Sequence, residues 1–159
     1  MIEFVLCRAL KNLVKTMLNR SVFISAEFPK TLTKRIKPLS GVRILIVEDE
    51  IVQALALENI IAELGGCVLA IAYGFEQAMK VVKGAQFDCA ILDINLGGTL
   101  SFAIAELLQQ RDVPVLFCTA YADAANVFAG EGPVACLEKP IQKIELRDAL
   151  LGILKQTPP

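Results

Sequence analysis

Four stretches of the chain set polar side chains directly after apolar runs. Glu48-Asp49-Glu50 follows Val42–Val47, and Asp93 lies inside Ala90-Ile-Leu-Asp-Ile-Asn95. Thr119 follows Val113–Cys118, and Glu138-Lys139-Pro140 follows Val134–Leu137. Each has an ordinary explanation when taken alone. Acidic groups suit the start of a helix, an Asp after a strand suits a turn, Thr suits strands, and a Lys is usually solvated. As a set they have one chemistry, phosphoryl transfer. Glu48, Asp49 and Asp93 gathered together repel one another unless a cation joins them. Oxygen ligands of this kind suit Mg²⁺, which keeps several waters and takes one or two carboxylates plus a phosphate oxygen. With repulsion lowered, a carboxylate can attack an anionic phosphoryl group and become an aspartyl phosphate. The Lys139 ammonium and the Thr119 hydroxyl are suited to neutralise and hydrogen-bond the new phosphate oxygens.

That chemistry requires the four stretches to converge, and the surrounding pattern predicts that they do. From Val42 onward strands alternate with helices. The expected strands are Val42–Val47, Cys67–Ala72, Cys89–Ile94, Val113–Cys118 and a short Val134–Leu137. The expected helices are Ile51–Leu64, stopped by Gly65-Gly66, then Phe75–Val82, closed by Gly84, then Leu100–Gln110 and Ile141–Leu154. Asp123–Gly132 allows one or two helical turns before Gly130, Gly132 and Pro133. Five strands alternating with about five helices predict an α/β fold with a parallel sheet covered on both faces. Ligands in such sheets bind at the carboxyl ends of the strands, near the point where strand order reverses. All four polar stretches fall at such ends.

Composition narrows the alternatives. The 159 residues suffice for one domain with a single core, and no apolar run approaches the ~20 residues of a membrane span. The chain contains no His, so a Ser-His or Cys-His catalytic pair is impossible, and any phosphate taken from histidine must come from a partner. Cys7, Cys67, Cys89, Cys118 and Cys136 are odd in number, lack C-x-x-C spacing and mostly lie in apolar stretches. They are expected to be buried and reduced, which points to the cytoplasm. Charge is uneven: residues 1–40 carry a net +6 and the remainder −7. The division expected is a basic N-terminal extension, 1–40, and one domain, 41–159. Within the extension, Ile2, Leu6, Ala9, Leu10, Leu13 and Met17 mark an amphipathic helix over 2–18, and residues 19–40 read as a linker.

Ile44-Leu-Ile-Val-Glu-Asp-Glu50, Ile91-Leu-Asp-Ile-Asn-Leu96, Phe117-Cys-Thr-Ala120 and Glu138-Lys-Pro140 resemble the signature blocks of two-component response-regulator receiver domains, the chemotaxis-regulator-like fold. The resemblance spans about residues 42–155, in order and at matching spacing. It implies a flavodoxin-like, doubly wound five-stranded sheet of order 2-1-3-4-5. It implies Asp93 as phosphoacceptor, Glu48 and Asp49 as the acidic metal pair, and the Asn95 backbone carbonyl as a further Mg²⁺ ligand. Thr119 would be the switch hydroxyl and Lys139 the cation that pairs with the phosphate, with Lys139–Pro140 often cis in the family. Asp93-Ile-Asn-Leu-Gly-Gly98 and Pro114-Val-Leu-Phe-Cys-Thr-Ala-Tyr121 are similar to single-domain receivers with a Phe-Ala-Thr-Gly-Tyr-type motif, although Cys118 and Ala120 replace its Ala and Gly. Many receivers carry an aromatic residue three positions before the Lys. Cys136 stands there, which removes an aromatic rotamer switch and leaves Tyr121 as an alternative reporter.

The function expected is a stand-alone receiver, a signalling switch rather than an enzyme. It would take phosphate from a sensor histidine kinase or histidine phosphotransfer protein, then bind a downstream protein or drain phosphate from a relay. Only Lys155–Pro159 follow the last expected helix, so no DNA-binding domain is expected in the chain. The rival from the enzyme class is a haloacid-dehalogenase-type phosphohydrolase, but that family expects an acidic residue where Asn95 stands and does not account for Glu48–Asp49. The second rival is a receiver-like adaptor that works without phosphorylation. The basic N-terminal helix is suited to a membrane surface or a partner groove, with incidental sequence or an over-long start as the bland alternative.

Overall fold

The computed structural model describes residues 37–120 and 134–156. The expected helix over 2–18, nearly all of the expected linker, Cys7, Tyr121 and the expected turns within 123–132 lie outside the described residues.

Strand β1 (Arg43–Val47) is the apolar run before Glu48. Ile44 and Ile46 enter one core cluster and Leu45 and Val47 the other, all fully buried. Because both faces are covered, no apolar–polar alternation shows in the sequence. Helix α1 (Ile51–Leu64) follows, stopped as expected by Gly65, whose left-handed φ of 89° turns the chain. Next come β2 (Cys67–Ala72), α2 (Phe75–Gly84) and β3 (Cys89–Asp93). Two short strands, β4 (Asn95–Leu96) and β5 (Thr99–Leu100), precede α3 (Phe102–Gln109). Then come β6 (Val115–Thr119), β7 (Val134–Glu138) and α4 (Lys143–Gln156).

The main sheet is parallel, in the order β2-β1-β3-β6-β7. With the β4–β5 hairpin set aside, this is the order 2-1-3-4-5 that the resemblance implies. Helices α1 and α4 cover the face carrying Ile44, Ile46, Ile91 and Leu116, while α2 and α3 cover the face carrying Leu45, Val47, Leu92 and Phe117. Strand order reverses between β1 and β3, the position where such sheets bind ligands.

Several expectations need correction, and the last helix begins at Lys143 rather than Ile141. Leu39, assigned to a linker, is fully buried, and its N–H donates to the Leu64 carbonyl at 3.0 Å, so the core begins before residue 41. The third helix begins at Phe102 rather than Leu100, because Gly97 and Gly98 turn the chain back into an antiparallel hairpin. Strand β6 begins at Val115, since Pro114 has no N–H for the ladder, although its carbonyl accepts from Ala90. Among the thiols, Cys89 and Cys118 are buried and Cys136 is half-buried, but Cys67 is exposed because it opens β2 at the sheet edge. No described helix is long and apolar enough to cross a membrane.

Candidate functional site

Strand geometry delivers the site. Glu48 is the first residue past β1, and its N–H donates to the Ala72 carbonyl at 3.0 Å, continuing the ladder one step. Its side chain is thereby directed into the sheet end, where the residue has no exposed surface. Asp93 closes β3 beside it, Thr119 closes β6, and Lys139 follows β7. The Lys139 N–H donates to the Thr119 carbonyl at 2.8 Å, which fixes where the lysine stem leaves the backbone. The Lys139–Pro140 peptide is cis.

The Lys139 ammonium donates to Asp93 Oδ2 at 2.6 Å and to Glu48 Oε2 at 2.8 Å. Carboxylate oxygens of Glu48, Asp49 and Asp93 lie within 4.8 Å of one another. One ammonium thus serves two of three clustered carboxylates. Burial pushes the Glu48 carboxyl above the ordinary glutamate range; Lys139 pulls against this, and Asp93 adds to it. For Lys139, burial acts to weaken the ammonium, but the hydrogen bonds it donates to Asp93 and Glu48, with their charges, outweigh this and hold the group above its ordinary value.

The donor set fits a hard divalent cation. All three side chains offer oxygen, they converge, and the negative charge left after Lys139 sits partly in a region without solvent. Burial of Glu48 makes its charge costly until a further cation balances it. Asn95 lies two residues past Asp93, with its N–H donating to Asp93 Oδ1 at 3.1 Å. Thr119 is buried at the end of its strand. Every site residue expected from the sequence within the described residues therefore lies at one end of the sheet. Cys136 sits in β7 opposite Phe117, half-buried against the core.

The chain matches the response regulator receiver domain over residues 44–151. It belongs to that family. The receiver is 34% identical over 124 residues to the transcriptional regulatory protein TcrA of Mycobacterium tuberculosis, covering 76% of this chain and 49% of TcrA. Its fold is similar to the PhyR response regulator receiver of Erythrobacter litoralis, with a TM-score of 0.67 and 29% identity, covering 76% of this chain and 95% of that one. It is also similar to SdrG from Sphingomonas melonis Fr1, with a TM-score of 0.61 and 34% identity, covering 74% and 98%. The receiver chain spans about half the length of curated relatives such as TcrA.

Sequence reasoning missed the hairpin that stands beside these carboxylates. A β-carbon added at Gly97 would lie 3.7 Å from Asp49 Oδ2. The signal was present in the adjacent Gly97-Gly98, a two-residue turn dipeptide. The pairing of Arg43 with Asp88 was also missed. Asp88 Oδ2 accepts the Arg43 backbone N–H at 2.7 Å and Oδ1 accepts Nη2 at 2.7 Å, which ties the start of β1 to the start of β3. Nothing in their sequence spacing marks that pair.

Proposed function

We propose that this receiver is a phosphorylation switch in which Asp93 takes a phosphoryl group from phosphohistidine on a sensor kinase or phosphotransfer protein. The observation that carries the reading is the Lys139 ammonium held between Asp93 Oδ2 and Glu48 Oε2, beside three converging carboxylates. An Asp93 oxygen attacks phosphorus, the new O–P bond forms, the P–N bond breaks, and the donor imidazole leaves with the bonding electrons. Glu48, Asp49 and Asp93, with the Asn95 carbonyl, would hold Mg²⁺, which when bound supplies neutralising charge as the two anions approach. Lys139, 2.6 Å from Asp93 Oδ2, would offer the incoming phosphoryl oxygens a charge-assisted hydrogen bond. Thr119 offers its hydroxyl to the same oxygens from the end of β6.

The chain would act as a switch rather than a turnover enzyme, its chemistry confined to its own phosphorylation and dephosphorylation. Output would be binding of a downstream protein, or removal of phosphate from a relay. With Cys136 where many receivers carry an aromatic ring, coupling is proposed to run through Thr119 and the segment after it. The phosphohydrolase reading is disfavoured by residue 95: it carries an amide, and its Oδ1 accepts the Gly98 N–H at 2.8 Å.

Acetyl phosphate supplies the direct test. Wild-type protein is expected to label in the presence of Mg²⁺ and to lose labelling with excess chelator, while Asp93→Asn does not label. Equal labelling of the variant would remove Asp93 from its role. Partner binding by wild type that never labels would favour the adaptor reading.

A further inference from the structure

The hairpin between Asp93 and α3 meets the site at two points. Asn95 pairs with Leu100 and Leu96 with Thr99, across a turn formed by Gly97 and Gly98. Their φ values are 61° and 93°, the two positive dihedrals that a tight type I′ turn demands. The hairpin is anchored from below: Leu96 is buried in the core, and the Ser101 N–H donates to the Ile94 carbonyl at 2.9 Å. Asn95 is the link to the chemistry. Its backbone N–H donates to Asp93 Oδ1, while its side-chain Oδ1 accepts the Gly98 N–H. Gly97, on the same turn, stands against Asp49.

The two oxygens of Asp93 are therefore held from different directions, Oδ2 by Lys139 and Oδ1 by the hairpin. A carboxylate turns readily about its terminal torsion. Fixing that torsion raises the fraction of time in which an oxygen is aimed at an incoming phosphorus, an effect of orientation alone. One N–H at 3.1 Å fixes little by itself. It gains leverage because it is carried on a closed turn with a buried anchor.

We propose that the Asn95–Leu100 hairpin is a positioning element for phosphoryl transfer, in which Asn95 and Gly98 act through the turn to orient Asp93 rather than by touching the phosphoryl group. The inference rests on the phosphoacceptor reading of Asp93. The Asn95 side-chain oxygen is committed to Gly98, so the side chain acts through the geometry of the loop, which also carries the backbone carbonyl assigned above to Mg²⁺.

Gly98→Ala tests this cleanly. Among the described residues nothing lies within 4 Å of a β-carbon at residue 98, so the substitution acts by straining a left-handed backbone. Gly41 is the control: it has φ 87° and no described residue within 4 Å of an added β-carbon, but lies before β1 at the opposite end of the sheet. Gly98→Asn is the rescue, since Asn tolerates left-handed φ better than Ala.

The initial rate of labelling by acetyl phosphate, in which acetate is the leaving group, is expected to fall about tenfold in Gly98→Ala. The Mg²⁺-induced rise in melting temperature should shrink alongside it. Gly98→Asn should recover most of both, and Gly41→Ala should lower the melting temperature without changing either. Labelling of Gly98→Ala at the wild-type rate, or equal slowing by Gly41→Ala, overturns the proposal. If wild type itself does not label, the phosphoacceptor reading has failed. The Mg²⁺ shift then decides the hairpin alone, and identical shifts in wild type and Gly98→Ala refute its positioning role.

Discussion

Lys139 carries more of the site's electrostatics than any neighbour, because its one ammonium serves both Glu48 and Asp93. Removing it leaves two carboxylates in a largely enclosed pocket with no other ion-pair partner among the described residues. Lys139→Ala is expected to cost about 3 kcal/mol of stability without added metal, the penalty typical of breaking a buried pair. Mg²⁺ should restore part of the loss by binding the folded state and not the unfolded one. Urea denaturation with and without Mg²⁺ checks both, and an unchanged midpoint would mean that the ammonium is held for another reason. The buried thiols give a separate prediction at high pH. Burial pushes Cys89 up to about 12 and moves Cys118 in the same direction. A thiol whose proton is held more tightly in the fold contributes stability fully below its unfolded value of about 8.5, and loses it as pH climbs toward the folded value. The unfolding free energy from urea titration should therefore fall between pH 8 and 10, by at most about 1.4 kcal/mol per pH unit for each thiol. The double variant Cys89→Ala/Cys118→Ala should show a shallower fall; equal slopes would assign the loss to other groups.

Two elements carry predictions that run against simple propensity. Ser101 occupies the N-cap of α3, a position where Ser→Ala usually costs about 1 kcal/mol. Here its hydroxyl is buried, makes no capping bond and finds no partner among the described residues. Ser101→Ala should therefore be neutral or slightly stabilising by thermal melting, since an unsatisfied buried hydroxyl is a cost rather than a support. A loss of the usual size would show that a bridging water completes the cap. At the end of α1, a β-carbon on Gly66 would meet Ile61 Cγ2 at 2.7 Å and Ile44 Cδ1 at 3.3 Å. Gly66→Ala is expected to cost about 1–3 kcal/mol by overpacking the joint between α1 and β1. These features also mark where sequence reading stopped. The strand ends bearing Glu48, Asp93, Thr119 and Lys139 were legible, because apolar runs of strand length stop at polar residues. The hairpin was not, because Leu100 reads as helical by spacing and only the backbone sign at Gly97 and Gly98 breaks the helix. Leu39 was hidden in the same way, as a lone apolar residue between Pro38 and Ser40 that its bond to Leu64 draws into the core.

At the scale of the whole described domain, function depends on a parallel sheet whose order reverses between β1 and β3. That reversal puts the Asp93 carboxylate beside those of the adjacent residues 48 and 49, from which it is far removed in the chain, and β6 and β7 add a hydroxyl and an ammonium at the same end of the sheet. Periodicity in the sequence made the layers predictable, and strand order followed from family resemblance rather than from any single residue. Which atom faces which could not be read that way, because it depends on ladder continuations such as Glu48 to Ala72 and Lys139 to Thr119. The most direct test of the phosphoacceptor claim is to locate the group. Wild-type protein would be phosphorylated with Mg²⁺ and acetyl phosphate, trapped by hydride reduction of the acyl phosphate, and mapped by peptide mass spectrometry. The account predicts reduction at Asp93, dependent on Mg²⁺. Modification at Asp49 or elsewhere with Asp93 untouched, or labelling of Asp93 indifferent to chelation, would contradict it.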